Sequence, residues 1–293
     1  MNVLVTGANG QLGNELREAA AKCRDRFVFT DVSPVPGVET VYLDITNEKA
    51  VRIILDSEKI DVIVNCAAYT NVDKAEDDSG TAMLINSSAA GILAEAARDT
   101  GATLIHISTD YVFQGDTPVP YREDWPTDPL GVYGSTKLSG ERKVLESGCD
   151  SIIFRTSWLY SPFGKNFVKT MLGLTAERDS LKVVFDQVGT PTYARDLAGL
   201  IIKVIEEKLL SHKGIFHFSD EGVISWYDFA KAICEIGGNK CEISPCHTGD
   251  YPTKARRPRY SVLDKTKVKE TFGITIPHWR ESLVDCINRI KRS

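Results

Sequence analysis

The sequence predicts an α/β fold in which a doubly wound parallel sheet is followed by a second, smaller α/β lobe at the C-terminal end. Short apolar runs alternate with amphipathic stretches along most of the chain, and this alternation fades beyond about residue 220. Apolar strands that alternate with helices form parallel sheets covered on both faces. Right-handed crossovers between such strands give the doubly wound arrangement.

The individual elements follow from the spacing of apolar residues. Short apolar runs predict strands at 2–6, 26–31, 41–44, 61–68, 102–108, 151–157 and 214–219. Helical spacing predicts helices at 11–23, 47–58, 81–101, 133–147, 195–210, 225–238 and 278–293. Gly101 can supply the left-handed cap of the third helix. The aromatic stretch "WLYSPFGKNF" (158–167) is predicted to be a loop.

Composition and charge exclude several classes of protein. The net charge of −5 argues against a nucleic-acid binder. No apolar run reaches the roughly 18–20 residues of a membrane helix, and the N-terminus lacks a basic signal-peptide region, so a cytoplasmic location is expected. The 7 cysteines include no C-x-x-C pair and are expected to be reduced. The loose group of Cys234, Cys241, Cys246 and His247 fits no zinc spacing, and no metal is predicted.

A glycine-rich turn, "TGANGQLG" (6–13), follows the first strand and opens the first helix. Gly7, Gly10 and Gly13 would let the backbone turn tightly and approach a pyrophosphate at the positive end of that helix. The spacing is G-x-x-G-x-x-G, not the G-x-G-x-x-G of classical dehydrogenases. In its strand-turn-helix context the turn nevertheless predicts a Rossmann-type dinucleotide site.

Two aspartates are candidates for binding the adenosine half of that dinucleotide. Asp31 ends the second strand, where a carboxylate can accept hydrogen bonds from ribose hydroxyls or can cap a strand-end turn. Because a carboxylate would repel a 2′-phosphate and no arginine follows it, NADH is favoured over NADPH. Asp44 either binds the adenine amine or caps the following helix.

Tyr133 and Lys137 in "YGSTK" have the i, i+4 spacing that puts two side chains on one helix face. Ser108, Thr109 and Asp110 end the fifth strand, at the sheet edge where ligands bind, so Thr109, Tyr133 and Lys137 are predicted to be catalytic. A ketone that accepts hydride needs a proton, and a nearby ammonium would make the tyrosine a better acid.

Tyr227 and Lys231 have the same spacing but lie in the C-terminal lobe, where no such strand end is predicted. The apolar neighbours of Tyr227 indicate that it is a packing residue.

Together with the glycine turn, "STDYVF" and "YGSTK" resemble the extended short-chain dehydrogenase/reductase family. Finer matches at 64–76, 108–141, 155–172 and 186–198 resemble its dTDP-4-dehydrorhamnose reductase branch over nearly the whole chain. The resemblance implies hydride transfer from NADH or NADPH to the 4-keto group of dTDP-4-dehydro-6-deoxy-L-mannose. It also implies a cofactor domain (1–156 and 185–216) and a sugar-nucleotide domain (157–184 and 217–293).

The resemblance extends to individual site residues. Besides the three turn glycines and the two aspartates, it implies cofactor contacts from Gln11, Leu12, Ile45, Ala67, Ala68, Tyr69, Tyr133 and Lys137. It implies substrate contacts from Thr70, Thr109, Asp110, Tyr133 and Trp158, although Trp158 is equally compatible with an ordinary buried aromatic residue. In "TKARRPR" (253–259), Arg256 is expected to bind the substrate diphosphate, unless this segment is a solvated basic loop.

Alternatives remain at this point. Tyr111 stands where related 4,6-dehydratases carry a glutamate, which argues against elimination of water. Another ketosugar reductase, an epimerase or a non-catalytic cofactor-binding subunit would share the same motifs. Some relatives bind Mg²⁺ between subunits through clustered acids; Glu15 is present, but Arg195 precedes Asp196 where a second acid would be needed. We therefore expect no metal and a possible homodimer.

Overall fold

The computed structural model describes residues 1–292. Its strands are β1 (Asn2–Thr6), β2 (Arg26–Asp31), β3 (Val41–Tyr42), β4 (Val62–Asn65), β5 (Thr103–Thr109), β6 (Ser151–Thr156), β7 (Leu159–Tyr160), β8 (Ser180–Val184), β9 (Val188–Gly189), β10 (Thr192–Tyr193), β11 (Gly214–His217), β12 (Ile224–Ser225) and β13 (Glu242–Cys246). Its α-helices are α1 (Gln11–Ala20), α2 (Glu48–Ser57), α3 (Val72–Ala75), α4 (Ser79–Met83), α5 (Ala89–Thr100), α6 (Val132–Glu146), α7 (Phe167–Glu177), α8 (Ala194–Glu206), α9 (Trp226–Gly237), α10 (Thr266–Phe272) and α11 (Trp279–Ile290).

Seven strands form the central sheet in the order β11-β6-β5-β4-β1-β2-β3. Every neighbouring pair is parallel. This confirms the doubly wound sheet predicted from the alternation of strands and helices. Strand order reverses direction between β1 and β4, so a crevice opens at the carboxyl ends of these two strands.

Both faces of the sheet are buried, as the continuous apolar runs predict. Val3 and Val5 point to one face and pack with α1 and α8, whereas Leu4, between them, packs on the other face with α2 and α5. Successive side chains of a strand point to opposite faces, so one apolar strand serves two cores. The crevice therefore stands on a rigid frame.

The boundaries differ from the predictions at the points where polar contacts interrupt regular structure. The helix predicted over 81–101 is divided into α4, a π-helical turn (Leu84–Ser88) and α5, and it ends at Gly101 with a φ of 75°. The strand predicted over 61–68 stops at Asn65. Residues 66–68 leave the sheet and face the crevice.

The second lobe has its own apolar core and contains both helices and strands, as predicted. Its cluster includes Val168 and Met171 of α7, Phe229 of α9 and Leu283 of α11. The parallel pair β8–β13 lies beside α9. The sequence reading missed α7, β8 and β13, although the buried residues Val168, Met171 and Thr175 of α7 have helical spacing. The segment around α10 packs instead into the core of the central sheet.

No helix within residues 1–292 is long and apolar enough to cross a membrane.

Candidate active site

A cavity of about 750 Å³ lies at the carboxyl edge of the sheet, between the two lobes. It brings together most of the predicted site residues: Gly7, Gly10, Gln11, Leu12, Asp31, Asp44, Ile45, Ala67, Ala68, Thr70, Thr109, Asp110, Tyr133, Lys137 and Trp158. Gly13, Tyr69 and Arg256 do not line it. The crevice predicted from the sheet topology is thus the place where the motifs meet.

The glycine turn is shaped by close backbone contacts. Gly7 has a φ of 63°, and a Cβ atom there would lie 2.6 Å from the backbone nitrogen of Ala67. A Cβ atom on Gly13 would lie 2.5 Å from the carbonyl oxygen of Gly7, so Gly13 allows α1 to pack against the turn. No side chain caps the start of α1 at Gly10. Free amides at a helix N-terminus suit a phosphate group, and the turn therefore fits a dinucleotide.

The two adenosine-side aspartates are held by neighbouring groups. The carboxylate of Asp31 accepts hydrogen bonds from the backbone of Asn9 (3.0 Å) and Ser33 (2.9 Å). Asp44 accepts from the backbone nitrogen of Thr46 (2.9 Å), while α2 is capped by Asn47. Both aspartates also line the cavity, so each combines a local structural role with a place in the cavity wall.

Tyr133 and Lys137 lie in the first turns of α6 and both line the cavity. The ring of Tyr133 meets that of Tyr111 edge-on, with centroids 5.6 Å apart. The ammonium group of Lys137 is buried and donates a hydrogen bond to the carbonyl oxygen of Ile107. Thr109, at the end of β5, donates to Asp110 at 3.0 Å. A phenol, an ammonium group, a hydroxyl and a carboxyl group thus share one wall.

The pKa of Tyr133 does not move in the direction expected from the sequence. Burial raises it to about 12, hydrogen bonding with Thr109 lowers it, and the carboxylate of Asp110 raises it. Burial also lowers the pKa of Lys137 to about 8, against the opposite influence of Glu141 and Cys66. The reason is loss of water, which disfavours a buried phenolate and a buried ammonium alike. Tyr133 is therefore a protonated phenol at neutral pH.

Asp110 is the acid in the cavity wall whose carboxyl group has a buried oxygen without a hydrogen-bond partner in the part of the chain that the structure describes. Burial raises its pKa to about 7, although hydrogen bonds from Ser261 and Thr109 favour the charged form. Its Oδ2 atom is buried and has no partner among residues 1–292. A carboxyl group in this position can change charge near neutral pH, directly beside the phenol of Tyr133.

A buried ion pair beneath the cavity was not predicted. Arg155 donates to Glu141 through Nη2 (2.7 Å) and Nε (2.9 Å), and Ser108 donates to the same carboxylate. Glu141 lies four residues after Lys137 on α6, so its contacts with Ser108 and Arg155 join α6 to β5 and β6. The signal was an arginine inside the otherwise apolar run "SIIFRTS", because a buried arginine requires an acidic partner.

One wall of the cavity contains a pair of stacked tryptophans. Trp158 has a φ of 48° and stacks on Trp226, with centroids 3.6 Å apart and an angle of 11° between the rings. Both rings line the cavity. Trp226 begins α9 in the second lobe and was missed, because no motif links it to position 158. Trp158 is therefore part of the cavity wall and not a fully buried core residue.

Besides Gly13, two predicted contacts lie outside the cavity. Arg256 is exposed outside the cavity, whereas its neighbour Arg257 lines it and pairs with Asp73 at 2.9 Å. The flanking Ala255 is buried, and successive side chains of this extended segment point in different directions. Tyr69 turns its hydroxyl to Asp78 at 3.2 Å, away from the cavity.

The second tyrosine–lysine pair does not line this cavity, although Tyr227 follows Trp226 in the chain. Tyr227 lies partly buried against the core of the second lobe and lines a separate surface hollow of about 420 Å³.

The acid that suggested an intersubunit metal is already paired. Both carboxylate oxygens of Glu15 accept hydrogen bonds from Nη1 of Arg289, at 2.8 and 2.9 Å. Within residues 1–292 no group of three His, Cys, Asp or Glu side chains is arranged to hold a metal ion. The homodimer stays a prediction.

Comparison with known proteins gives a consistent family. The family model described as "RmlD substrate binding domain" matches residues 1–292. A dTDP-4-dehydrorhamnose reductase of Aggregatibacter actinomycetemcomitans is 42% identical over 96% of both chains. The crystal structure of a dTDP-4-dehydrorhamnose reductase from Clostridium acetobutylicum has a TM-score of 0.92 and 43% identity, covering 99% of this chain and 100% of that one. One from Bacillus anthracis, in complex with NADP, has a TM-score of 0.89 and 38% identity, covering 98% and 99%.

Proposed function

This chain belongs to the RmlD substrate binding domain family, and from that premise we propose that it reduces dTDP-4-dehydro-6-deoxy-L-mannose to dTDP-L-rhamnose. The observation that carries the proposal is the meeting of Thr109, Tyr133 and Lys137 in one cavity beside the glycine turn. The turn would hold the cofactor at the same sheet edge. The hydride of the cofactor and the proton of Tyr133 could then reach the same carbonyl group of the substrate.

When bound, NAD(P)H supplies hydride to the keto carbon. The keto oxygen then becomes an alkoxide, and the phenol of Tyr133 donates the proton that completes the alcohol. An alkoxide is a stronger base than a phenolate, so it can take the proton even from a phenol whose pKa burial raises to about 12. We assign to Lys137, four residues further along the same helix and also in the cavity wall, the stabilisation of the phenolate that would remain, because a cation interacts strongly with an anion in a water-poor site.

Thr109 and Asp110 would orient the carbonyl group. In the free protein the single hydroxyl proton of Thr109 is donated to Asp110, and with substrate bound it would be donated to the keto oxygen or to the tyrosine instead. Asp110, protonated below about pH 7, has a free carboxyl oxygen for a sugar hydroxyl. We assign these two residues to substrate positioning, with Tyr133 as the proton donor.

We infer that NADH is preferred to NADPH. The carboxylate of Asp31 is held by two backbone amides at the edge of the cavity and would repel a 2′-phosphate. The Bacillus anthracis relative was crystallised with NADP, so the preference has to be measured for both cofactors.

The nucleotide sugar is assigned to the second lobe, residues 157–184 and 217–293. The stacked pair of Trp158 and Trp226 offers an apolar platform for the sugar or base. Arg257, which faces the cavity, replaces Arg256 as the candidate ligand of the substrate diphosphate. Its fork of N–H donors suits phosphate oxygens.

The test is oxidation of NADH, and separately of NADPH, with a panel of nucleotide 4-ketosugars. We expect turnover with the dTDP-4-keto sugar and at least a 10²-fold loss of kcat in Tyr133→Phe. Binding of NADH to the variant should change far less than kcat, because the substitution removes one hydroxyl group and leaves the other predicted cofactor contacts in place.

Other outcomes would favour the rival functions. Tightly retained NAD without net oxidation would favour an epimerase. Cofactor binding without turnover of any ketosugar would favour a regulatory subunit.

A further inference from the structure

A segment of the second lobe reaches across to the glycine turn. This bridging segment, residues 159–166, connects β7 to α7. Gln11, at the start of α1, accepts hydrogen bonds from Asn166 (2.9 Å) and Ser161 (3.4 Å). The amide nitrogen of Gln11 donates in turn to the carbonyl oxygen of Leu159 at 3.4 Å. Hydrogen bonds therefore join the two lobes at Gln11, the first residue of α1.

The bridging segment is held in a defined shape. Asn166 accepts from the backbone nitrogen of Lys169 (3.1 Å) and donates to the carbonyl oxygen of Ser161 (2.7 Å), so it fixes both the start of α7 and the loop. Gly164 has a φ of 62°, and a Cβ atom there would lie 3.3 Å from Cγ of Gln11. The left-handed backbone conformation of Gly164 brings the bridging segment against the glycine turn. Its steric cost is small because glycine has no Cβ atom.

This arrangement puts Lys165 into the cavity wall with an uncommitted charge. Three cationic residues line the cavity: Lys137, Lys165 and Arg257. Lys137 donates to the carbonyl oxygen of Ile107, and Arg257 is paired with Asp73. Within residues 1–292, Lys165 forms no ion pair and no side-chain hydrogen bond, and it is exposed.

We propose that Lys165 of the bridging segment binds the pyrophosphate of the dinucleotide, so that the second lobe completes the cofactor site. The inference rests on the proposed cofactor. The glycine turn offers only backbone amides to a ligand that carries two negative charges, and the other cavity-lining cations, Lys137 and Arg257, are engaged with other groups. A lysine supplies the missing positive charge as a mobile point cation.

The geometry assigns Lys165 to the cofactor and not to the sugar nucleotide. Its neighbour Gly164 contacts Gln11 of the turn, whereas Arg257 pairs with Asp73 on α3. Lys165 is thus assigned to the diphosphate of the dinucleotide, and Arg257 to the diphosphate of the nucleotide sugar.

The experiment is a binding titration of Lys165→Gln without nucleotide sugar, using NADH, ADP-ribose and adenosine as probes. We expect the Kd for NADH and for ADP-ribose to rise about tenfold, and the Kd for adenosine to stay unchanged because it carries no phosphate. The salt dependence of NADH binding should weaken, since one ionic contact is lost. Lys165→Arg should restore most of the affinity.

Lys182→Gln is the matched control, because Lys182 is exposed on β8 in the same lobe and outside the cavity. Equal NADH affinity in wild type and Lys165→Gln would overturn the inference. So would an unchanged Kd for NADH together with a raised KM for the nucleotide sugar, which would assign Lys165 to the substrate diphosphate. Failure of the wild-type protein to bind any nicotinamide dinucleotide would instead overturn the proposed function.

Discussion

Replacing Asp110 with asparagine should make the stability of the protein less sensitive to pH. The side chains have nearly the same shape, and asparagine keeps an oxygen that can accept the hydrogen bond from Thr109. Only the carboxyl group can ionise. The exchange therefore isolates the free energy of having this acid in a buried position.

The magnitude follows from the pKa of Asp110, which burial raises from 3.8 to about 7. Between these two values the unfolded chain has lost the proton and the folded protein keeps it, so the folded state is progressively disfavoured as pH rises. Each unit corresponds to about 1.4 kcal/mol, which gives a change on the order of 4 kcal/mol from pH 4 to pH 7. Above pH 7 both states are ionised and the effect is constant.

The assay is urea unfolding of wild type and Asp110→Asn across pH 4 to 8.5 at constant ionic strength. The free energy of unfolding of the variant should rise relative to wild type up to about pH 7 and then level off. In the same pair, kcat/KM of wild type should fall above about pH 7, when the carboxylate forms beside Tyr133. In the variant it should fall only near pH 8, where Lys137 loses its charge. Parallel stability curves would refute the reasoning, because they would mean that Asp110 titrates alike in both states.

Two further substitutions test the two ends of the cavity. Gly7→Ala should destabilise the protein by about 3 kcal/mol and abolish NADH binding, because the new Cβ atom would lie 2.6 Å from the backbone of Ala67. Gly37→Ala is the control, because Gly37 has a similar φ of 77° and a Cβ atom there would have nothing within 4 Å. It should lower the free energy of unfolding by only about 1 kcal/mol, measured by thermal or urea unfolding, and leave NADH binding intact. Equal losses of stability in the two variants would contradict the packing argument. At the other end, Arg257→Gln should raise the KM for the nucleotide sugar about tenfold and leave that for NADH unchanged. Arg256→Gln should alter neither constant, and a larger effect from Arg256 would return the diphosphate site to the residue expected from the sequence.

Local patterns in the sequence were sufficient for the frame of the protein. The strands and helices of the central sheet, the glycine turn and the spacing of Tyr133 and Lys137 are each encoded within about 20 residues. Right-handed crossovers then leave few ways to assemble such units. Strand ends converge at one edge in any parallel sheet, so the position of Thr109 and Asp110 beside the cavity also followed from sequence.

Contacts between distant segments were decided by the tertiary structure alone. Trp226 stacks on Trp158, and Lys165 is brought beside the glycine turn through Gln11, over separations that no periodic pattern records. Whether Arg256 or Arg257 faces the cavity depends on the path of an irregular loop. The pKa of Tyr133 depends on how much water the folded chain excludes, and burial reversed the direction that the neighbouring lysine suggested. Sequence spacing specifies which groups share an element, whereas desolvation and long-range packing are properties of the assembled fold.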